Sequence, residues 1–153
     1  MKKIILKIAV GVEALHKRNI LHRDIKLENI LVTDLTEDTG VRIGDMGSAI
    51  RLDSPTGKTN FMIGTPGYIA PEMLRGEAYG FAFDVWAIGA LMHALVTMEL
   101  PFWADDAKER QRKVCREPLD VEANRFLQRL SQEGKDLLRG MLEKKVDRRY
   151  NIH

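Results

Sequence analysis

Apolar residues recur at helical spacing across positions 1–18. Ile4, Ile5, Ile8, Ala9, Val12 and Leu15 share a face, while Lys2, Lys3, Lys7 and Glu13 fall elsewhere. That period predicts an amphipathic helix. Three short apolar runs follow, Asn19-Ile20-Leu21, Ile30-Leu31-Val32 and Val41-Arg42-Ile43. The last two flank a polar, turn-rich stretch and predict a hairpin. Residues 48–63 show no period and are rich in Ser, Thr, Pro and Gly, so they read as a mobile loop. Phe81 to Val96 is apolar nearly all round, as expected of a helix buried on every face. Residues 104–116 are dense in charge and read as a solvated helix. Leu130 to Glu143 predicts another helix, with Ser131 as its N-cap and Leu137, Leu138, Met141 and Leu142 as its apolar face.

Composition narrows the class. The chain of 153 residues can bury one real core. A hydrophobic fraction of 44% and a charged fraction of 30% suit a soluble globular protein. A net charge of +2 gives no reason to expect nucleic acid or an anionic membrane as partner. Phe81 to Val96 is short for a bilayer span and contains Asp84 and His93. His93 is expected to be a hydrogen-bonded core histidine. No secretory leader is expected at the start, where Lys7 interrupts the apolar stretch. Cys115 stands alone, which excludes an internal disulfide and fits a reducing compartment. Its charged neighbours could lower its pKa, but a plain surface or half-buried thiol is the simpler expectation.

The chemistry concentrates in His22-Arg23-Asp24-Ile25-Lys26-Leu27-Glu28-Asn29. A carboxylate is followed two residues on by an ammonium, and three further on by a carboxamide. Asp24 can accept a hydroxyl proton, Lys26 can neutralise charge on a moving phosphoryl group, and Asn29 can hold a metal ion by its oxygen. Downstream, Asp45-Met46-Gly47 places a carboxylate at a strand end before a glycine, which suits metal binding. Standing alone, that triplet would be an ordinary turn.

Taken in order, the motifs resemble those of eukaryotic serine/threonine protein kinases, nearest to the calcium/calmodulin-dependent group. They are the loop around Asp24, the Asp45 triplet with methionine where phenylalanine is usual, Gly64-Thr65-Pro66-Gly67-Tyr68-Ile69-Ala70-Pro71-Glu72, and Asp84-Val85-Trp86. Lys145-Val146-Asp147-Arg148-Arg149 resembles the closing motif more loosely. The resemblance implies a mainly α fold, the C-terminal lobe of a kinase domain over residues 1–153. A small β-hairpin would bear the catalytic and metal-binding loops. Motifs of the N-terminal lobe, the glycine-rich loop and the strand lysine, find no match. The chain alone is therefore expected to transfer no phosphate.

The resemblance also assigns roles. Asp24, Lys26 and Asn29 would be catalytic. ATP would meet Leu31, Lys26, Asn29 and Asp45, with Mg²⁺ on Asn29 and Asp45. Glu28 would pair with a basic residue upstream of the acceptor. Thr65 would help seat the substrate, and Met62, Pro66 and Ile69 would line a pocket for the following residue. His22, Arg23, Glu72, Asp84 and Arg149 would be structural. Met46 would pack against His22. Asp84 would accept backbone N–H groups of the catalytic loop, and Glu72 would pair with Arg149. Arg23 would receive a phosphate carried by Ser54, Thr56 or Thr59, since the favoured position holds Phe61. Partners would be proteins with Ser/Thr acceptors inside the cell, in the cytoplasm, and not nucleic acid or membrane. No regulatory partner is identified by these residues. The rival is a non-catalytic kinase-like docking module. A small-molecule phosphotransferase is disfavoured by Thr65 to Glu72.

Overall fold

The computed structural model describes residues 2–33 and 40–152. Helix α1, Lys2–His16, carries the predicted stripe and buries Ile5, Ile8, Val12 and His16. Two residues of strand β1, Ile20–Leu21, lead into the catalytic loop. Strands β2, Ile30–Val32, and β3, Val41–Ile43, form the predicted antiparallel hairpin, pairing Ile30 with Ile43 and Val32 with Val41. The polar stretch joining them falls mostly on residues 34–39, outside the described residues.

The expectation of a mobile loop over 48–63 needs correction. Ile50–Arg51 form strand β4, antiparallel to β1, and the following Leu52 is buried and donates its N–H to the Asn19 carbonyl at 2.7 Å. Thr59 bridges to Tyr79. Strands this short carry no readable period, and their pairing comes from a segment distant in sequence.

Four-residue helix α2, Pro71–Leu74, begins with proline, whose missing N–H has no partner to lose in a first turn. Helix α3, Ala82–Thr97, is the core of the molecule. It buries every residue from Phe83 to Ala94. Trp86, Phe83, Ile88 and Leu91 are among the most enclosed side chains, and full burial of each contributes roughly 1.5–3 kcal/mol. The helix ends at Met98 in the left-handed conformation, φ 63°. Helix α4, Ala107–Arg116, buries only Val114 and is the solvated helix expected, capped by Asp106. Helix α5, Arg125–Gln128, has no counterpart in the sequence pattern because one turn is too short to show a period. Helix α6, Gln132–Met141, starts at Ser131 as predicted, the hydroxyl accepting the Gly134 N–H at 3.2 Å. It crosses α3 at Gly89, where an added Cβ would lie 2.9 Å from Met141. Leu138, Met141 and Leu142 face that crossing. Leu137 lies at the border of that face and is 38% exposed. No helix among the described residues is long and apolar enough to cross a membrane.

Candidate active site

The site is built outward from Asp84, a fully buried carboxylate on α3. A buried charge is costly unless hydrogen-bonded, and this one is saturated. Its Oδ2 accepts the His22 N–H at 2.9 Å and faces His16 Nε2 at 2.8 Å, while Oδ1 accepts the Arg23 N–H at 2.9 Å. Arg23 adopts φ 69°, unusual for a non-glycine residue. The backbone turn before Asp24 is thus held by the core helix, as the resemblance implied. His16 was not among the expected residues. Its position four after Val12, on the apolar face of α1, is the signal that could have found it.

His22 then ties the two loops together. One ring nitrogen, Nε2, lies 3.1 Å from the Gly44 carbonyl, and the Asp24 N–H donates to Nδ1 at 3.3 Å. Both contacts fit the tautomer protonated at Nε2. Met46, expected to pack against His22, is 44% exposed.

Three side chains meet at Asp24. Thr65 Oγ1 donates to Asp24 Oδ1 at 2.7 Å, and Lys26 Nζ stands 2.8 Å from Oδ2. Lys26 also donates to Thr65 Oγ1 at 3.0 Å. The Asn29 amide donates to the Asp24 carbonyl at 2.8 Å and to Oδ2 at 3.2 Å. Partial burial pushes the Asp24 carboxyl up, but hydrogen bonds from Lys26, Thr65 and Asn29 and the charge of Lys26 outweigh it. The group therefore lies below its ordinary value and is ionised at neutral pH. The same pair raises Lys26, mainly through its hydrogen bond to Asp24.

The hairpin brings Asp45 beside this cluster, because the Gly44 N–H donates to the Asn29 carbonyl at 2.8 Å. Asp45 sits at φ 57° and accepts the Gly47 N–H at 3.1 Å, so its carboxylate points from a sharp turn. Asn29 commits its amide nitrogen to Asp24, which leaves its side-chain oxygen as the atom for a cation. One carboxylate and one carboxamide oxygen suit Mg²⁺, which takes few protein ligands and completes its shell with phosphate and water. Leu31 is exposed on β2, its Cδ1 lying 3.4 Å from where a Gly44 Cβ would be.

Glu72 and Arg149 form the expected clamp. Two parallel bonds of 2.7 and 2.8 Å join them, with both side chains almost wholly buried. Arg149 also donates to the carbonyls of Glu143 and Ala82. The remaining substrate residues are less gathered. Glu28, Met62 and Pro66 are exposed and Ile69 is half-buried. Tyr68 was missed by sequence reasoning; its hydroxyl lies 3.5 Å from the Leu27 N–H. His93 is the hydrogen-bonded core residue expected, facing the Glu99 carbonyl at 2.7 Å, and burial lowers its pKa. Cys115 is half-buried, and burial pushes its thiol up, so the charged neighbours do not activate it.

The site thus gathers a carboxylate, an ammonium and a carboxamide, with a second carboxylate beside them. The protein kinase domain family model matches residues 1–153, and the chain belongs to that family. It is 37% identical over 147 residues to rhodopsin kinase GRK1 of Rattus norvegicus, covering 94% of this chain and 25% of that protein. It is 35% identical over 149 residues to the serine/threonine-protein kinase gad8 of Schizosaccharomyces pombe, with 97% and 25% covered. Against calcium-dependent protein kinase 28 of Oryza sativa subsp. japonica it is 33% identical over 151 residues, with 98% and 28% covered. The chain spans about a quarter of the length of these relatives.

Proposed function

We propose that residues 1–153 form the C-terminal catalytic lobe of a serine/threonine protein kinase, which moves the γ-phosphate of ATP to a Ser or Thr hydroxyl of a protein. The observation that carries this reading is the Asp24 cluster. An ionised carboxylate has an ammonium and a threonine hydroxyl on its two oxygens. Asp24 orients the acceptor hydroxyl and takes its proton at a carboxylate oxygen. Lys26 neutralises charge at the transferred group. Thr65 fixes both, so base and ammonium approach the acceptor in one geometry. Asn29 and Asp45 would hold Mg²⁺, which would supply neutralisation of phosphate charge. Leu31 offers an apolar wall to the adenine. Glu28 favours a basic residue upstream of the acceptor, and Met62, Pro66 and Ile69 favour an apolar one after it.

The test is phosphoryl transfer from ATP to Ser/Thr peptides by this chain joined to a kinase N-terminal lobe, with Asp24→Asn beside it. Loss of the base should lower kcat by about 10²–10⁴-fold. Transfer by the parent protein that Asp24→Asn leaves intact would remove Asp24 as base. No transfer by the parent would favour the docking-module reading.

A further inference from the structure

Residues 53–62 bury very little. Phe61 is 74% exposed and Met62 65%, and Asp53, Pro55, Thr56, Lys58 and Asn60 are exposed as well. Apolar burial therefore cannot hold this stretch in one path, and polar contacts must do so. They converge on Tyr79, a residue the site described above does not use.

Tyr79 is 2% exposed, and its ring packs on Phe83 of α3 at 4.8 Å. Its backbone exchanges two hydrogen bonds with Thr59, of 2.9 and 2.8 Å. Its hydroxyl donates to the Phe61 carbonyl at 2.6 Å. From the other side comes Arg23, the buried neighbour of Asp24. Arg23 Nε donates to the Ser48 carbonyl at 2.6 Å, and its guanidinium lies beside the Tyr79 hydroxyl. Thr59 and Phe61 of the exposed stretch thus return to one buried tyrosine, and Arg23 ties in Ser48 upstream of it.

The consequence for the site follows from chain length. Only Met62, Ile63 and Gly64 separate Phe61 from Thr65, whose hydroxyl meets Asp24. Gly64 sits at φ 119°, where a Cβ would come 3.3 Å from the Arg23 carbonyl, so the path there has little freedom to adjust. A tether at Phe61 therefore restrains the path to Thr65 across only three residues.

We propose that Tyr79 is a positioning residue that holds residues 59–65 in the acceptor-binding path, without a phosphate on Ser54, Thr56 or Thr59. The proposal rests on the kinase reading for its catalytic consequence. Arg23 is buried and its Nε is engaged at the Ser48 carbonyl, so this contact to the segment is made without a phosphate. Ser54 and Thr56 face each other at 3.3 Å, and Thr59 Oγ1 accepts the Phe61 N–H at 3.4 Å. These hydroxyls serve local turns on the outer side of the stretch.

The test is Tyr79→Phe, which keeps the buried ring and removes only the hydroxyl. In the 153-residue chain, amide hydrogen exchange over residues 58–63 and trypsin cleavage after Lys58 should accelerate by about threefold to tenfold, the weight of one hydrogen bond. In the chain joined to an N-terminal lobe, the acceptor-peptide KM should rise by a similar factor. The KM for ATP should stay unchanged, a split between acceptor and nucleotide that general loosening of the fold would not produce. Phosphatase treatment of the parent should alter none of these. Unchanged exchange and cleavage in Tyr79→Phe would overturn the proposal. So would a parent whose acceptor KM climbs after phosphatase treatment. If no phosphoryl transfer occurs at all, exchange and cleavage still decide the role of Tyr79, and only the kinase reading fails.

Discussion

Helices α3 and α4 follow one another in the chain and treat charge in opposite ways. In α3 one carboxylate, Asp84, is fully buried and receives three donors. In α4 six of the ten residues are charged: Lys108, Glu109, Arg110, Arg112, Lys113 and Arg116. These are mostly exposed, and their pairing is local, as in Arg112 with Glu109 at 2.6 Å. The difference teaches that the weight of a charge depends on its burial and on its partners. A single enclosed carboxylate organises the catalytic loop, whereas the charges of α4 reach little further than the neighbouring Trp103 and Ala104.

The largest break of that contrast is at the clamp over the start of α3. Arg149 holds Glu72 and the Ala82 carbonyl and lies over the Trp86 ring at 5.1 Å. Arg149→Ala leaves the buried Glu72 carboxylate without its partner. Removing one member of such a pair costs roughly 3–5 kcal/mol, a fall in Tm of about ten degrees for a chain of this size. Arg148, adjacent and exposed, lies outside the clamp, and Arg148→Ala should leave Tm nearly unchanged. Thermal unfolding followed by circular dichroism compares the two; equal losses would mean that the clamp carries no special weight.

Lys144 reaches Trp86 of α3 and the Lys113 carbonyl of α4, and sharpens the comparison from the middle. Its ammonium stands 3.2 Å from the Phe102 ring centroid and 5.1 Å from that of Trp86, with a long 3.5 Å contact to the Lys113 carbonyl. Burial lowers its pKa from 10.5 to about 7. The aromatic rings return part of that loss, since their faces attract the cation. Between pH 7 and 10.5 the unfolded chain binds more protons here than the folded one, so stability rises with pH across that window. Below pH 7 the whole penalty is present. Lys144→Met, which keeps length and removes the charge, should raise Tm at pH 6 by a few degrees, with the gain shrinking toward pH 10. A gain that is flat with pH would assign the effect to packing and not to the charge.

The clamp and α3 were readable in the sequence because each depends on a pattern. All-round apolarity marks a buried helix, and Glu72 and Arg149 fall at the ends of recognisable motifs. Asp24, Lys26, Asn29 and Asp45 were readable for the same reason. Tyr79 and the β1–β4 pairing were not, because their partners lie far away in the chain and the strands are only two residues long. Lys144 sits in the run Glu143-Lys144-Lys145, which reads as surface. Only the fold shows that one of these two lysines turns inward over aromatic rings.

The smallest expected effect lies on α4. Arg112 donates to both oxygens of Glu109, at 2.8 and 2.6 Å, and reaches Glu117 at 3.7 Å. The contacts draw the Glu109 carboxyl down and push the Arg112 guanidinium up, chiefly through the hydrogen bonds between them. By geometry alone this is as good an ion pair as the clamp. Both side chains, however, stand in solvent, where water screens the attraction and each must give up rotamer freedom to keep the contact. Arg112→Gln retains a long polar side chain and good helix propensity while removing the charge. The Asp106 cap, whose carboxylate accepts the Glu109 N–H at 2.8 Å, is untouched. Tm should therefore stay within the scatter of replicate scans, at low salt and at high salt alike. A clear loss at low salt that vanishes at high salt would show that surface charge on α4 carries weight, and the contrast with α3 would then be one of degree.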